Sequence, residues 1–290
     1  MKSKQTRRRF LRAASVGTAA SVTAAGSYLA PGRAVAETLQ PSGKTPSKKS
    51  FDLGVASYTF REFSLDETLT MTRRVGLDYI CLKSFHLPLE SAPEAIAKTA
   101  AKVKEAGIKL YAGGVITMRK EADVNQAFAY AKAAGMGMII GSPAPDVLAL
   151  VNEKVRQYDI RVAIHNHGPG DKTYPTPQSV YEKIKDMDKR IGLCIDIGHT
   201  ARIGADPIGS AQDYADRLLD VHVKDVAAAS PKGKEIEVGR GVIDIPQFLR
   251  ILITIRYGGV VAFEYEKDPK DPLAGLAESV GYVRGVLAAM

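Results

Sequence analysis

The sequence predicts a single-domain α/β fold, a (β/α)8 TIM barrel, over residues 51–290. In this region short apolar runs of strand length alternate with longer stretches of helical period. Eight such units occupy 240 residues, and a barrel of this kind typically needs about 250. An open, doubly wound sheet is the alternative. No G-x-G-x-x-G motif follows the first strand, and eight similar units favour closure.

Each predicted element has a local signal. Two helices are expected to begin at capping boxes, Ser64 with Glu67 and Ser91 with Glu94, where hydroxyl and carboxylate satisfy free amides of the first turn. Helices are expected to stop at three glycines, Gly76, Gly107 and Gly135. The strands are predicted at Gly54–Ser57, Tyr79–Ser84, Lys109–Gly113, Gly137–Gly141, Arg161–His165, Gly192–Asp196, Leu218–Lys224 and Val260–Tyr265.

The net positive charge is concentrated in the first 36 residues. They contain seven Lys and Arg residues and no Asp or Glu, so only +1 of the net charge of +8 belongs to the remainder. A nucleic-acid-binding domain needs a basic patch on its folded surface, and this distribution argues against a nucleic-acid partner. The content of 45% hydrophobic residues excludes a disordered chain. The presence of only two cysteines excludes a small fold held together by several disulfides.

The N-terminal segment resembles a twin-arginine export signal. Residues 6–12 read TRRRFLR, an uncharged and weakly apolar stretch follows, and Ala34-Val35-Ala36 fits a small-x-small cleavage site. The resemblance implies a signal peptide over residues 1–36, recognition by the twin-arginine export machinery and a periplasmic location. Residues 37–50, rich in Pro, Ser, Gly and Lys, are expected to form a flexible leader. A membrane anchor is the alternative, but Ser, Thr and Gly residues interrupt the apolar stretch, so no stable anchor is expected.

Imidazoles and carboxylates cluster at the ends of the last four predicted strands. The active site of a TIM barrel lies at the carboxyl ends of its strands. The fifth strand ends at His165, and His167 points to the same side because side chains alternate between faces. The sixth strand ends at Asp196, three residues before His199. In the seventh strand three polar residues share one face, Asp220, His222 and Lys224, and the eighth contains Glu264.

Taken singly, each of these residues has an ordinary structural explanation. A strand-end His is more often a hydrogen-bonded structural residue than a ligand, and a lone carboxylate can cap the next helix. Together they indicate a metal site, because burying several charged groups is costly unless a cation neutralises them. A His and carboxylate ligand set suits Zn or Mn.

Further residues are predicted to line a substrate pocket. Lys83 and His86 come at the end of the second strand, and Tyr58 follows the first, so all three should lie at the same end of the barrel. A surface lysine with an aromatic packing neighbour is the alternative for Lys83. Lys224 is the better candidate for a catalytic lysine because it shares the face of His222.

Four motifs together resemble the xylose-isomerase-like barrel family of sugar isomerases and epimerases: IHNHG at 164–168, DIGH at 196–199, HVKD at 222–225 and FEYE at 263–266. Many members of that family bind a divalent ion through one residue from each of the last four strands. The resemblance therefore implies four metal ligands, His165, Asp196, His222 and Glu264. It also implies that His199 contacts a substrate oxygen, and we expect His167 to bind substrate beside it.

The sequence departs from the family pattern at two positions. Many family epimerases have Glu where this chain has His165, and that Glu forms a two-base pair with the Glu of the eighth strand. Some also have an Arg about six residues beyond the seventh-strand His, where this chain has Ala228. We therefore assign catalytic roles to Glu264, His165 and Lys224, with an imidazole in place of one base.

These observations predict a metal-dependent sugar isomerase or epimerase that abstracts a proton next to a metal-bound carbonyl. Export favours a non-phosphorylated carbohydrate, since sugar phosphates are mainly cytoplasmic. Three alternatives remain open: a 3-keto-glycoside lyase that uses the same first step, a non-catalytic periplasmic sugar- or metal-binding protein, and an apurinic endonuclease of the same architecture. Three bound metal ions would indicate the nuclease, and one would indicate the sugar enzyme.

Overall fold

Eight parallel strands form a closed barrel, as predicted. A computed structural model of the protein describes residues 51–290. The predicted signal peptide (1–36) and leader (37–50) lie outside the described residues. The barrel strands follow chain order, and the last pairs with the first through Asp52 and Val260. They are β1 (Asp52–Ala56), β2 (Tyr79–Leu82), β3 (Lys109–Met118), β4 (Met138–Pro143), β5 (Arg161–His165), β6 (Ile191–Asp196), β7 (Leu218–Val223) and β10 (Val260–Phe263).

Nine α-helices accompany the strands in the described part of the chain, of which eight lie in connections between strands and the last follows β10. They are α1 (Leu65–Arg74), α2 (Pro93–Glu105), α3 (Glu121–Ala133), α4 (Leu148–Tyr158), α5 (Pro177–Ile184), α6 (Ile197–Arg202), α7 (Pro207–Asp213), α8 (Ile245–Thr254) and α9 (Pro272–Ala288). Two helices, α6 and α7, share the connection between β6 and β7. Within residues 51–290 no helix combines the length and apolarity that a membrane crossing requires.

The helix ends follow from the local sequence in most cases. The capping box of Ser64 and Glu67 is present at the start of α1, where the Ser64 amide donates to Glu67 Oε2 over 2.9 Å. Three glycines, each two residues after the end of a helix, have positive φ angles of 72°, 72° and 66°, at Gly76, Gly107 and Gly135. These backbone conformations strain any residue that has a Cβ, which explains why the helices stop there.

The second predicted capping box, at Ser91 and Glu94, is wrong. Helix α2 begins at Pro93, and Ala92 occupies the capping position without a side-chain hydrogen bond. Proline favours the first helical position because it lacks the amide hydrogen that would otherwise be unsatisfied there. The helix therefore begins at the position that Pro93 prefers, and Ser91 lies one residue too early to cap it.

A short antiparallel hairpin that the sequence analysis did not predict follows β7. Its strands are β8 (Asp225–Val226) and β9 (Glu235–Ile236). The buried carboxylate of Asp225 accepts hydrogen bonds from four backbone amides, those of Val226, Gly239, Gly241 and Ile243. This set of bonds satisfies the buried charge and fixes the segment that leads from the hairpin to α8.

The barrel interior is filled by small and medium-sized side chains below the strand ends. They form a cluster separate from the main core, made of Cys81, Ala112, Met138, Ile140, Ala163 and Cys194. Side chains two residues apart on a strand share a face. Ala163 therefore lies one layer below His165, and Cys194 lies one layer below Asp196, so the inward faces of these strands become polar at their carboxyl ends.

Candidate metal centre

Four buried side chains converge at the carboxyl ends of the last four barrel strands. His165 ends β5, Asp196 ends β6, His222 lies in β7 and Glu264 follows β10. Each offers one potential ligand atom, and these atoms all lie within 4.8 Å of one another. We call them the four-residue cluster. They come from different strands, and the closed parallel barrel brings them together because all of its strands end at the same rim.

The distances within the four-residue cluster define a compact centre. His165 Nε2 lies 3.2 Å from His222 Nδ1 and 3.6 Å from Asp196 Oδ2. His222 Nδ1 lies 3.4 Å from Glu264 Oε2. The nitrogen and oxygen atoms that face the centre thus belong to two imidazoles and two carboxylates, the donor set that suits Zn or Mn.

Asp196 provides the clearest test of whether a cation fits. Its Oδ1 accepts the backbone amide of His199 over 2.7 Å and so caps α6. Its Oδ2 is buried and has no hydrogen-bond partner among the described residues. The Lys224 ammonium lies 3.3 Å from Oδ2, and two imidazoles also face it. This buried anionic oxygen therefore attracts positive charge, and its position fits a cation. The described residues therefore fit a divalent ion.

The pKa shifts in the four-residue cluster describe a site that attracts positive charge. Burial lowers the pKa of His165 to about 3, which keeps this imidazole neutral. Burial alone would raise the pKa of Asp196, but His199 and Lys224 outweigh it and lower that pKa. For His222 burial acts to lower the pKa, but Glu264 and Asp220 raise it overall. Neutral His165 and ionised Asp196 are therefore in the protonation states that bind metals, and the raised pKa of His222 reflects the negative charge around it that a cation would neutralise.

Lys224 is a buried cation beside this centre. Its Nζ lies 3.1 Å from Glu264 Oε2 and 3.3 Å from Asp196 Oδ2, and it also contacts the Glu266 carboxylate. Burial opposes its charge, yet the surrounding carboxylates raise its pKa well above the usual value. Lys224 therefore remains protonated and can donate hydrogen bonds into the site. The predicted inward orientation, shared with His222, is confirmed.

Two further histidines lie at the rim of the four-residue cluster. His199 Nε2 is 3.9 Å from Asp196 Oδ2. The ring of His167 lies 4.5 Å from that of His165, its Nδ1 is 3.3 Å from Asp171 Oδ2, and 35% of the side chain is exposed. This exposure leaves His167 accessible from the barrel mouth. Substrate binding by these histidines stays a prediction.

The other predicted pocket residues lie after β1 and β2, at the same rim. Lys83 Nζ is 5.1 Å from the centroid of the Tyr58 ring, which suits a cation–π contact. The His86 side chain points to α1 instead, where its Nε2 lies 3.1 Å from Thr68 Oγ1 and 3.0 Å from the carbonyl oxygen of Phe63. His86 is not part of the four-residue cluster. Substrate contacts by Lys83, His86 and Tyr58 stay predictions.

The structure adds two acidic residues to which the sequence analysis gave no role. Asp220 lies below His222 in β7, with Oδ2 3.5 Å from His222 Nε2. Its place on the His222 face was visible in the sequence and was the available signal. Glu235, in the hairpin, accepts the backbone amide of Glu266 over 2.6 Å, and burial raises its pKa to about 9. No sequence signal indicated Glu235, because a strand of two residues is too short to show the alternation of apolar and polar side chains.

Comparison with known proteins places this barrel in a family. A family model described as the xylose isomerase-like TIM barrel matches residues 61–286, most of the chain. The chain belongs to this family. Its match covers all four strand-end motifs on which the resemblance in the sequence was based, and the observed barrel agrees with it.

Curated relatives of this family member match over part of their length. The rhizopine catabolism protein MocC of Rhizobium meliloti is 28% identical over 132 residues, which are 40% of each chain. An inosose dehydratase of Lacticaseibacillus casei is 26% identical over 138 residues, 42% of this chain and 46% of the dehydratase. The matched segment therefore spans less than half the length of these relatives.

Solved structures share the fold over nearly their whole length. The IolI protein with a bound zinc atom superposes with a TM-score of 0.69 at 19% identity, over 82% of this chain and 99% of IolI. The 3-keto-D-glucoside 4-epimerase YcjR from E. coli superposes with a TM-score of 0.65 at 16% identity, over 81% of this chain and 99% of the epimerase. These likenesses establish the architecture of this family member, whose structural neighbours include enzymes.

Proposed function

We propose that the protein is a metal-dependent sugar isomerase or epimerase that abstracts a proton next to the carbonyl of a non-phosphorylated carbohydrate. The observation that carries the proposal is the convergence of His165, Asp196, His222 and Glu264 within 4.8 Å. Family membership and structural neighbours that include the epimerase YcjR support it. The zinc atom bound by IolI supports a divalent ion as the cofactor.

The residues around the four-residue cluster suit proton transfer. A divalent cation held there supplies Lewis acidity, which makes the C–H bond next to a carbonyl more acidic. Burial would raise the pKa of Glu264, but Lys224 and His222 hold it well below the usual range, so its carboxylate is ionised, the state that a general base requires. Lys224 can donate a hydrogen bond to the oxygen on which negative charge develops. His199 and His167 would orient the hydroxyl groups of the sugar.

The fate of the abstracted proton distinguishes the reactions in this class. Glu264 takes a proton from the carbon next to the carbonyl. The electron pair of that C–H bond forms a C=C bond, and the π pair of the C=O bond moves onto the carbonyl oxygen. Return of a proton to the opposite face of the same carbon gives an epimer. Return to the neighbouring carbon gives the aldose–ketose isomer. Both outcomes leave the carbon skeleton and the number of protons unchanged.

A β-elimination is the second candidate, and His165 favours it. Elimination needs one base to remove the proton and one acid to protonate the leaving oxygen, so it does not require the second Glu of an epimerase pair. The chain has His165 at that position. The inosose dehydratase relatives support a reaction that expels an oxygen substituent. A 3-keto-glycoside lyase would expel the aglycone in the same step.

A single cation centre favours the sugar enzyme over a nuclease with three metals. Two groups of potential ligands occur among residues 51–290, the four-residue cluster and the set His165, Cys194 and His222. The two groups share both histidines, so they describe one location. The low net charge outside the first 36 residues also gives no support for a DNA substrate.

We also propose export to the periplasm, which rests on the N-terminal motif. Replacing Arg7, Arg8 and Arg9 with Lys keeps the positive charge and removes the arginine signal. Expression of both forms with fractionation of the cells tests the proposal. We expect the wild-type chain in the periplasmic fraction and the variant in the cytoplasm. Equal distribution of the two forms would refute twin-arginine export.

The proposed chemistry is tested by incubation of the purified protein with keto-sugars and 3-keto-glycosides in D2O, followed by NMR of the products. Deuterium on carbon with an intact skeleton indicates isomerisation or epimerisation. Release of the aglycone with an unsaturated sugar indicates the lyase. The Asp196→Asn variant serves as the inactive control. Binding of a sugar without turnover, or full activity after removal of metal by a chelator, would contradict the proposal.

A further inference from the structure

We propose that Asp220 is a positioning residue that fixes the tautomer and orientation of His222 for cation binding. The proposal rests on the cation site described above. His222 presents Nδ1 to the four-residue cluster and Nε2 to the barrel interior, where Asp220 Oδ2 lies 3.5 Å away. Among residues 51–290 His222 Nε2 forms no hydrogen bond, and the Asp220 carboxylate, 3.5 Å away, is the acceptor beside it toward which a small movement would bring the N–H.

The tautomer of His222 determines whether it can bind a cation. A neutral imidazole carries one proton, and the other nitrogen offers its lone pair. Since His222 Nδ1 faces His165 Nε2 at 3.2 Å and Glu264 Oε2 at 3.4 Å, Nδ1 must be the free nitrogen if it binds a cation. The proton must then reside on Nε2, where a carboxylate stabilises it. Asp220 meets this requirement from below the site.

Burial of the Asp220 carboxylate destabilises the fold unless the carboxylate stabilises the Nε2–H group of His222. The residue is completely buried, and its Oδ1 has no hydrogen-bond partner. Oδ2 accepts from Cys194 Sγ at 3.4 Å and from the Tyr111 hydroxyl at 3.5 Å, two weak contacts. Among residues 51–290 no Lys or Arg forms an ion pair with Asp220. An apolar residue of similar volume would avoid the cost of burying this carboxylate.

The decisive measurement is Zn²⁺ affinity of the full chain, after removal of metal, in competition with a chromophoric chelator. We expect one equivalent to bind to the wild type. Asp220→Leu should weaken binding about 10- to 100-fold, the usual loss for a carboxylate behind a metal-bound histidine, and Asp220→Asn by less. The control Tyr111→Phe removes another partner of Asp220 and leaves His222 untouched, so its affinity should stay within about twofold of the wild type.

Thermal unfolding of the metal-free proteins separates positioning from a merely structural role. We expect metal-free Asp220→Leu to be at least as stable as the wild type, because an incompletely paired buried carboxylate has been removed. A structural role would lower both stability and affinity in parallel. If Asp220→Leu fails to fold, ¹⁵N NMR of histidine-labelled wild-type protein with Zn²⁺ decides the question. A proton on His222 Nε2 supports the proposal, and a proton on Nδ1 overturns it.

The possible failures are distinguishable. Absence of Zn²⁺ binding to the wild type would refute the cation site and the role of Asp220 with it. Binding to the wild type with an unchanged affinity in Asp220→Leu would refute only the role of Asp220.

Discussion

His165 Nε2 lies 3.2 Å from His222 Nδ1, although strand β6 separates β5 from β7 around the barrel. The contact crosses the mouth of the barrel and joins two buried rings. Two ring nitrogens at this distance can share one proton or can both turn their lone pairs to a cation. The approach of Asp196 Oδ2 and Glu264 Oε2 to the same point favours the cation.

Removal of His165 should therefore abolish tight metal binding. We expect His165→Ala to weaken Zn²⁺ binding about 100-fold or more. The variant has lost one of the four ligands and keeps one imidazole and two carboxylates. Competition with a chromophoric chelator measures the dissociation constant. His86→Ala is the matched control, since His86 is also buried but bonds to Thr68 outside the four-residue cluster. Equal losses of affinity in both variants would show that the effect comes from the fold and not from ligation.

Lys224 should influence metal affinity in the opposite direction. Its ammonium group contacts two residues of the four-residue cluster, Asp196 and Glu264, and repels a second cation. We expect Lys224→Met to raise Zn²⁺ affinity about tenfold and to lower kcat, because a hydrogen-bond donor to the reacting oxygen is lost. Lys83→Met, next to Tyr58, serves as the control for affinity. A fall in the affinity of Lys224→Met would mean that Lys224 supports the ligands and does not compete with the metal.

The fold could be predicted because two of its signals can be recognised in short stretches of sequence. They are the regular spacing of hydrophobic residues and the glycines that end helices. All eight predicted strands overlap observed barrel strands, but β3 extends to Met118, five residues beyond the predicted end. Two consecutive glycines, Gly113 and Gly114, interrupt the apolar pattern, and the register with β4 shifts just after them. At Gly114 φ is 151° and a Cβ would approach the Ile140 carbonyl oxygen to 2.1 Å, so glycine is required within a continuing strand.

The site could be predicted in part for a geometric reason. Alternation along a strand and the common rim of a parallel barrel predicted that imidazoles and carboxylates of the last four strands meet. The family resemblance then selected His165, Asp196, His222 and Glu264 among them. The depth at which a side chain lies in the barrel, and the path of an irregular connection between strands, could not be predicted from the sequence. The contact between Asp220 and His222 depends on the tilt of one side chain within β7, and Glu235 reaches the site through a hairpin that has two residues in each strand. Such short elements are fixed by tertiary bonds, among them those of Asp225.

The stability of the protein in acid should depend on Glu237. Its carboxylate accepts hydrogen bonds from Lys267 at 2.8 Å and from the Tyr265 hydroxyl at 3.0 Å. The Lys267 ammonium is the main cause that lowers the pKa of Glu237 from 4.5 to about 2. Since the folded pKa is below the unfolded one, the stabilisation is present above about pH 4.5 and is lost as the pH falls toward 2.

Glu237→Gln should therefore flatten the acid side of the stability profile. We expect the variant to have a lower Tm than the wild type at pH 6 and a smaller difference at pH 3. Over this interval the carboxyl becomes protonated in the unfolded chain while the folded protein keeps it ionised, which removes part of the wild-type advantage. Thermal unfolding across this pH range measures the effect. Glu278→Gln is the control, as Glu278 pairs with Arg240 on an exposed surface. A constant difference in Tm between wild type and Glu237→Gln at all pH values would contradict the assignment.

Arg217 should be essential for joining α5 to the strand that follows it. The residue is 2% exposed, and its guanidinium donates to four backbone carbonyl oxygens, those of Lys185, Met187, Asp188 and Ile191, at 2.5–2.9 Å. These carbonyls lie at and after the end of α5 and at the start of β6, where intrahelical partners have run out. Arg217→Met keeps much of the apolar volume and leaves the four acceptors buried without a donor.

We expect Arg217→Met to lower the free energy of unfolding by about 3 kcal/mol, because unsatisfied buried acceptors each cost on the order of 1 kcal/mol or more. Urea denaturation measures the change. Arg240→Met is the matched control, since Arg240 pairs with Glu278 while 59% of its side chain is exposed, and the loss there should stay within about 1 kcal/mol. An equally small loss of unfolding free energy in both variants would contradict this prediction. Water would then have to satisfy the carbonyl oxygens around Arg217, and the guanidinium would not be the group that joins α5 to β6.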